Sequence, residues 1–188
     1  MRYPNGIEKE ITKNITYNNR GMTLEQDINI TNQYYLDYNI ACIHKKPTPI
    51  NIVKVEGNKI KEAFFKTSST TDYNGIYKGK YIDFDAKETN LDYFPIDNLQ
   101  THQLKHLKTV LNMGGISFII VRFNKYNKVY LLETKKILFF IDSNKKKSLP
   151  LSFFEENGYE ILFKFSPRLD YIKALDIILE GEKNEQTN

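Results

Sequence analysis

What this chain has little of narrows its reading first. It carries one cysteine, Cys42, in 188 residues, so no disulfide can form within a single chain. Cys42 lies in the apolar run Ile40-Ala41-Cys42-Ile43 and reads as a buried strand thiol, neither nucleophile nor ligand. No apolar stretch approaches the roughly 18 residues of a membrane helix, and no amino-terminal signal pattern is present, so the expectation is a soluble protein of the cytoplasm, or of the nucleoid within it. Its glycines form no phosphate-cradling loop of the Walker or dinucleotide type, which leaves nucleotide cofactors unsupported. The histidines His44, His102 and His106 lack the spacing with cysteine that zinc requires. Arginine is confined to Arg2, Arg20, Arg122 and Arg168, in a chain rich in lysine and asparagine.

What is present fits one domain. A 40% hydrophobic and 13% aromatic content supports a packed globule of this length. Twenty-seven Lys plus Arg against 23 Asp plus Glu leave a mild net charge of +4. Local clusters, Lys45-Lys46, Lys59-Ile60-Lys61 and Lys145-Lys146-Lys147, would concentrate that charge for a polyanionic partner, and each also reads as a solvated face.

The periodicities alternate between helix and strand. Residues 1–19 are polar and Asn-rich and read as a mobile segment; residues 20–180 form the domain; residues 181–188 read as a mobile polar tail. Thr23 and Gln26 form a capping box before Leu24, Ile28, Thr31 and Tyr35, which recur at helical spacing. A strand is expected over Ile40 to His44, ended by Lys45-Lys46-Pro47-Thr48-Pro49, and a β-hairpin over about 50–65 turning at Glu56-Gly57-Asn58-Lys59. Strands follow over Gly75 to Ala86 with a turn at Lys78-Gly79, then a helix from about Pro95 to Met113. Strands over Ile116 to Phe123 and Lys128 to Glu133 come next, then helices over Thr134 to Asp142 and Asp170 to Glu180. The fold class is α/β, with a mixed central sheet flanked by helices.

One segment carries chemistry. In Tyr81-Ile82-Asp83-Phe84-Asp85-Ala86-Lys87, strand alternation sends Ile82, Phe84 and Ala86 to one face and Asp83, Asp85 and Lys87 to the other. A carboxylate on this strand, with Asp72 from the preceding Thr70-Thr71-Asp72-Tyr73-Asn74-Gly75 segment, would anchor a hard divalent cation beside a phosphate. That spacing suits metal-dependent phosphodiester cleavage. It suits equally an edge strand whose Asp and Lys alternate towards solvent. Glu88 falls on the opposite face from Asp85, and Asp83 shares its face. Gln103 lies four residues from both Leu99 and Leu107, on the inward helical stripe, where its amide needs a partner from the backbone or from a site.

The segments Asn19 to Glu25, His44 to Pro49, Ser69 to Gly75, Tyr77 to Phe84 and Pro167 to Ile172 resemble the RecU family of Holliday junction resolvases, over about Arg20 to Ile172. Those proteins belong to the PD-(D/E)xK nuclease group, so the resemblance implies a restriction-endonuclease-like core with a projecting hairpin stalk. It further implies Mg²⁺, with Mn²⁺ as substitute, held by Asp72 and Asp85 with Thr70 and Gln103, where His102-Gln103 matches the family pattern. Lys87 would stabilise charge on the phosphate, and the substrate would be a four-way DNA junction cut by a homodimer, alongside other recombination proteins. DNA contacts are expected from Arg20, Lys45, Lys46, Lys59 and Lys61. Two departures stand out: the family usually carries glutamate where this chain has Asp85, and the hairpin loop is several residues shorter than its usual basic tip. They leave open a PD-(D/E)xK nuclease for duplex or flap DNA, or a non-catalytic junction-binding protein.

Overall fold

The computed structural model describes residues 22–66, 70–143 and 146–186. In chain order these form α1 (Leu24–Asp37), β1 (Cys42–Lys45), β2 (Ile50–Glu56), β3 (Lys59–Phe65), β4 (Tyr73–Tyr77), β5 (Lys80–Thr89), β6 (Tyr93–Pro95), a 3₁₀ turn (Ile96–Asn98) and α2 (Thr101–Asn112). Then come β7 (Ile116–Phe123), β8 (Lys128–Glu133), α3 (Thr134–Ser143), β9 (Ser148–Pro150), α4 (Leu151–Asn157), β10 (Tyr159–Glu160) and α5 (Ile172–Gln186). Among the described residues no helix is long and apolar enough to cross a membrane.

The central sheet has the order β1-β4-β5-β7-β8-β10, with β5 and β7 parallel and every other pair antiparallel. This is the expected mixed sheet. The β4–β5 hairpin turns through Lys78 and Gly79, both at positive φ (47° and 77°), the backbone that a tight two-residue turn between twisted strands requires. Gly75 lies where β1 crosses closest: a Cβ there would sit 2.1 Å from the Cys42 carbonyl oxygen. Only a glycine lets β1 pair with β4 at this register.

Strand alternation sorts the two faces. Ile82, Phe84 and Ala86 of β5 join Ile116, Phe118 and Ile120 of β7 under α1 and α5, where Leu24, Ile28, Tyr35, Leu175 and Ile178 complete the core. Tyr73, Phe84 and Phe118 stack across three neighbouring strands, with ring centroids 4.9 and 4.7 Å apart. On the other face, Ile119, Val121, Leu132, Leu107, Ile137 and Phe154 form a second core beneath α2, α3 and α4. Asp83, Asp85 and Lys87 pair in register with Ser117, Ile119 and Val121, so the polar face of β5 belongs to this second side.

The capping box on α1 forms as expected, Thr23 N donating to Gln26 Oε1 at 2.9 Å. The Pro167-Arg168-Leu169 segment then locks that helix in place. Arg168 pairs with the fully buried Asp27, Arg122 approaches the same carboxylate at 3.5 Å, and Leu169 N donates to Thr31 Oγ1 at 2.9 Å.

Several expectations shift. Cys42 is exposed, because alternation along β1 turns Ala41 and Ile43 inward and the thiol outward. The helix expected from Pro95 is first a 3₁₀ turn; the extended backbone of Leu99 (ψ 102°) breaks it, and α2 begins only after Gln100. The carboxy-terminal helix runs past Glu180 to Gln186, through much of the expected tail, since Gly181 alone does not stop it. Strands β6, β9 and β10 and helix α4 were not anticipated. Residues 1–19, with Arg20, and Lys145 lie outside the described residues.

The hairpin β2–β3 is a separate two-stranded ribbon with nearly every residue exposed. Glu56 pairs with Lys59, so the loop is Gly57-Asn58, with positive φ (58°) at Gly57. That is the backbone of a tight turn with glycine at its first central position.

Candidate metal and phosphate site

Asp72, Asp85, Lys87 and Gln103 come together where β4, β5 and α2 meet. Asp72 reaches β5 through its side chain: Oδ2 accepts the Ala86 N–H at 3.0 Å, which brings its carboxylate beside Asp85. Asp85 is fully buried. Its Oδ1 accepts from Gln103 Nε2 at 2.8 Å, while Oδ2 receives no hydrogen bond of ordinary geometry and has the Lys87 ammonium in ion-pair contact. Burial pushes the Asp85 carboxyl up to about 7, with the Asp72 charge adding to the rise and Lys87 opposing it.

Two acids whose charges repel, one of them buried with only a lysine ammonium against its second oxygen, suit a hard divalent cation. Such an ion would satisfy Asp85 Oδ2 and relieve the repulsion with Asp72. Two carboxylates are the acidic complement at this point, and among the described residues no group of three His, Cys, Asp or Glu side chains is placed to hold a metal; one or two carboxylates with waters suffice for Mg²⁺.

Gln103 is turned by its own helix. Its Oε1 accepts the Gln100 N–H at 3.0 Å in the box that caps α2, which directs the amide nitrogen at Asp85. In this arrangement it orients the Asp85 carboxylate, and its oxygen faces the helix end. Thr70 sits at the rim, its Oγ1 accepting from Lys46 at 3.1 Å.

A second polar knot lies one strand pleat away. Asp83, also fully buried, takes Lys46 Nζ at 2.7 Å, Tyr81 OH at 2.9 Å and Thr71 Oγ1 at 2.5 Å, with His106 Nε2 3.1 Å from its Oδ2. Gln103 and His106, three apart on α2, thus face Asp85 and Asp83, two apart on β5. Sequence reading missed His106 as part of the site; its position one helical turn from Gln103, opposite a second strand acid, was the signal.

The Lys46 side chain is only 15% exposed and is turned onto Asp83, with which it pairs at 2.7 Å. The reason is the uncompensated Asp83 carboxylate, which a buried site must pair. Lys45 stays at the surface in an ion pair with Glu25, and Lys59 and Lys61 are exposed on the hairpin, Lys61 3.3 Å from Glu56. Glu88 faces away from Asp85, as alternation requires, and accepts the Leu24 N–H at the start of α1.

The family model RecU, described as Recombination protein U, matches residues 19–177. A protein named Holliday junction resolvase RecU from Bacillus cytotoxicus is 48% identical over 195 residues, spanning 95% of this chain and 98% of that protein. The protein of the same name from Pediococcus pentosaceus is 52% identical over 174 residues, 88% of this chain and 87% of its own. The solved structure of Archaeoglobus fulgidus Hjc, a Holliday junction resolvase, overlaps loosely, with TM-score 0.41 at 13% identity over 72% of this chain and 92% of that one; so loose an overlap adds nothing to the assignment. The match to the family model across most of the chain, with relatives this similar over nearly their whole length, places the chain in the RecU family.

Proposed function

We propose that this chain is a divalent-metal-dependent endonuclease that resolves four-way DNA junctions during recombination and repair. The observation that carries the reading is the pair Asp72 and Asp85, brought side by side at β5, with the Lys87 ammonium against the buried Asp85 Oδ2. Asp72 and Asp85 hold the cation, which we take to be Mg²⁺ with Mn²⁺ able to replace it; bound there, it supplies Lewis-acid polarisation of a phosphate and a water acidic enough to attack. Gln103 orients Asp85, and Thr70 contributes at the rim. Lys87, which contacts Asp85, would present its ammonium to the phosphate oxygens whose charge grows in the transition state. The shorter aspartate in place of the family's glutamate is compatible with this role, because Gln103 and Lys87 both reach it.

Paired incision of a symmetric junction needs two such sites, so the working form is a homodimer. Lys45, Lys59 and Lys61 supply phosphate contacts, with Arg20, which precedes the first helix in the sequence. The hairpin, projecting with both strands exposed, serves as a short stalk. A cytoplasmic setting at the nucleoid, with recombination proteins as partners, follows from the substrate. Comparing incision of a mobile four-way junction, a flap and a linear duplex tests the substrate class. The junction should be cut at least tenfold faster than either; equal rates on duplex would assign a general nuclease of the same chemistry.

A further inference from the structure

The projecting hairpin and the acidic site meet at one residue. β1 ends at Lys45, and Lys46 begins the Lys46-Pro47-Thr48-Pro49 strap that leads to the first hairpin strand at Ile50. Lys46 is held at both ends. Its backbone N–H donates to the Asp72 carbonyl oxygen at 2.8 Å, and its ammonium donates to Thr70 Oγ1, Thr71 Oγ1 (2.6 Å) and Asp83 Oδ2. One lysine therefore touches three consecutive residues of the segment that carries the metal-site carboxylate Asp72. The base of the hairpin closes on the same strap, where Lys66 N donates to Pro49 O at 3.0 Å. Two prolines with fixed φ make the connection stiff. Asp83 anchors the assembly to the sheet through Tyr81 and to α2 through His106.

We propose that Lys46 is a positioning residue that couples the hairpin to the carboxylate site, so that DNA held on the hairpin sets the placement of Asp72 and the grip on the metal. The inference rests on the nuclease reading above and deepens it. A displaced hairpin pulls on Lys46 through a strap that cannot flex at its prolines, and Lys46 carries that pull to Thr70, Thr71 and Asp72 together. Junction binding and metal binding then favour each other, and by linkage each strengthens the other by the same factor.

Mn²⁺ binding, followed by electron paramagnetic resonance on the full-length protein with and without a saturating four-way junction of uncleavable linkages, tests the coupling. In the wild-type chain the junction should tighten Mn²⁺ binding roughly fivefold or more. In Lys46→Met that tightening should vanish, while junction affinity without metal changes less than about twofold, since its ammonium is engaged with Thr70, Thr71 and Asp83. The double variant Lys46→Met/Asp83→Asn removes the unpaired buried carboxylate; it should recover thermal stability and still lack the coupling, and it carries the test if Lys46→Met does not fold. Tightening equal in wild type and either variant, or absent from the wild type, overturns the proposal. Failure of the wild type to incise the junction with Mg²⁺ would sink the nuclease reading instead, and the Mn²⁺ data decide the coupling separately.

Discussion

At the scale of the residue, Asp85 shows what burying a strand carboxylate costs. The carboxyl keeps its proton in the folded chain to about pH 7 and in an exposed setting only to about 3.8, so the metal-free fold binds more protons than the unfolded chain between these values. Stability of the metal-free protein therefore falls as pH rises through that window and stays low above it. Asp85→Asn should remove this dependence, gaining on the wild type on the order of 2 to 4 kcal/mol at about pH 8 relative to about pH 5, read from denaturant melts. An unchanged pH profile would contradict the assignment. The same proton must leave before a cation is held, so Mn²⁺ affinity should drop about tenfold for each pH unit below 7. The alternation that set Asp83, Asp85 and Lys87 on one face was legible from sequence because it is local. The inward turn of Lys46 was not, because it is decided by Asp83, 37 positions away in the chain. Cys42 failed by one position: an apolar run marks a strand without saying which face each residue takes.

At the scale of the element, what could be read was whatever carries its own signal. The capping box of α1, the Lys78-Gly79 turn and the Gly57-Asn58 hairpin all appear where their residues require them. Strands β6, β9 and β10 are two or three residues long, too short for any period, and exist because partners elsewhere in the chain pair with them. The Pro167-to-Ile172 segment, noticed for its resemblance, proves to clamp α1 through Asp27. Arg168→Ala should destabilise the fold by about 2 to 4 kcal/mol, since Asp27 would lose one of its two arginines while remaining buried, and leave Mn²⁺ affinity unchanged. A fall in metal affinity without a fall in melting temperature would place Arg168 at the site. On the hairpin, replacing Lys59 and Lys61 together with alanine should weaken junction binding and reduce the slope of log affinity against log salt by roughly 1 for each phosphate that these lysines neutralise. No change in that slope would remove both lysines from the DNA surface.

At the scale of the whole molecule, the sheet divides labour between its faces. One face is sealed by α1 and α5 around the Tyr73–Phe84–Phe118 stack, which fixes β4, β5 and β7 rigidly. The other carries an apolar core along β7 and β8 and gives up apolar residues on β5 for two acids and a lysine. The proposed site thus lies on a strand paired on both sides, the kind of support that holds a site's geometry. Each chain offers one such site, so sedimentation in the presence of a four-way junction should show two chains per junction; a single bound chain would argue against paired incision. The most direct measurement of the central claim is Mg²⁺-dependent incision of a mobile four-way junction by the wild-type chain beside Asp72→Ala and Lys87→Ala. The account predicts paired incisions by the wild type and losses of roughly 100-fold or more in each variant. Equal cutting by all three would contradict it.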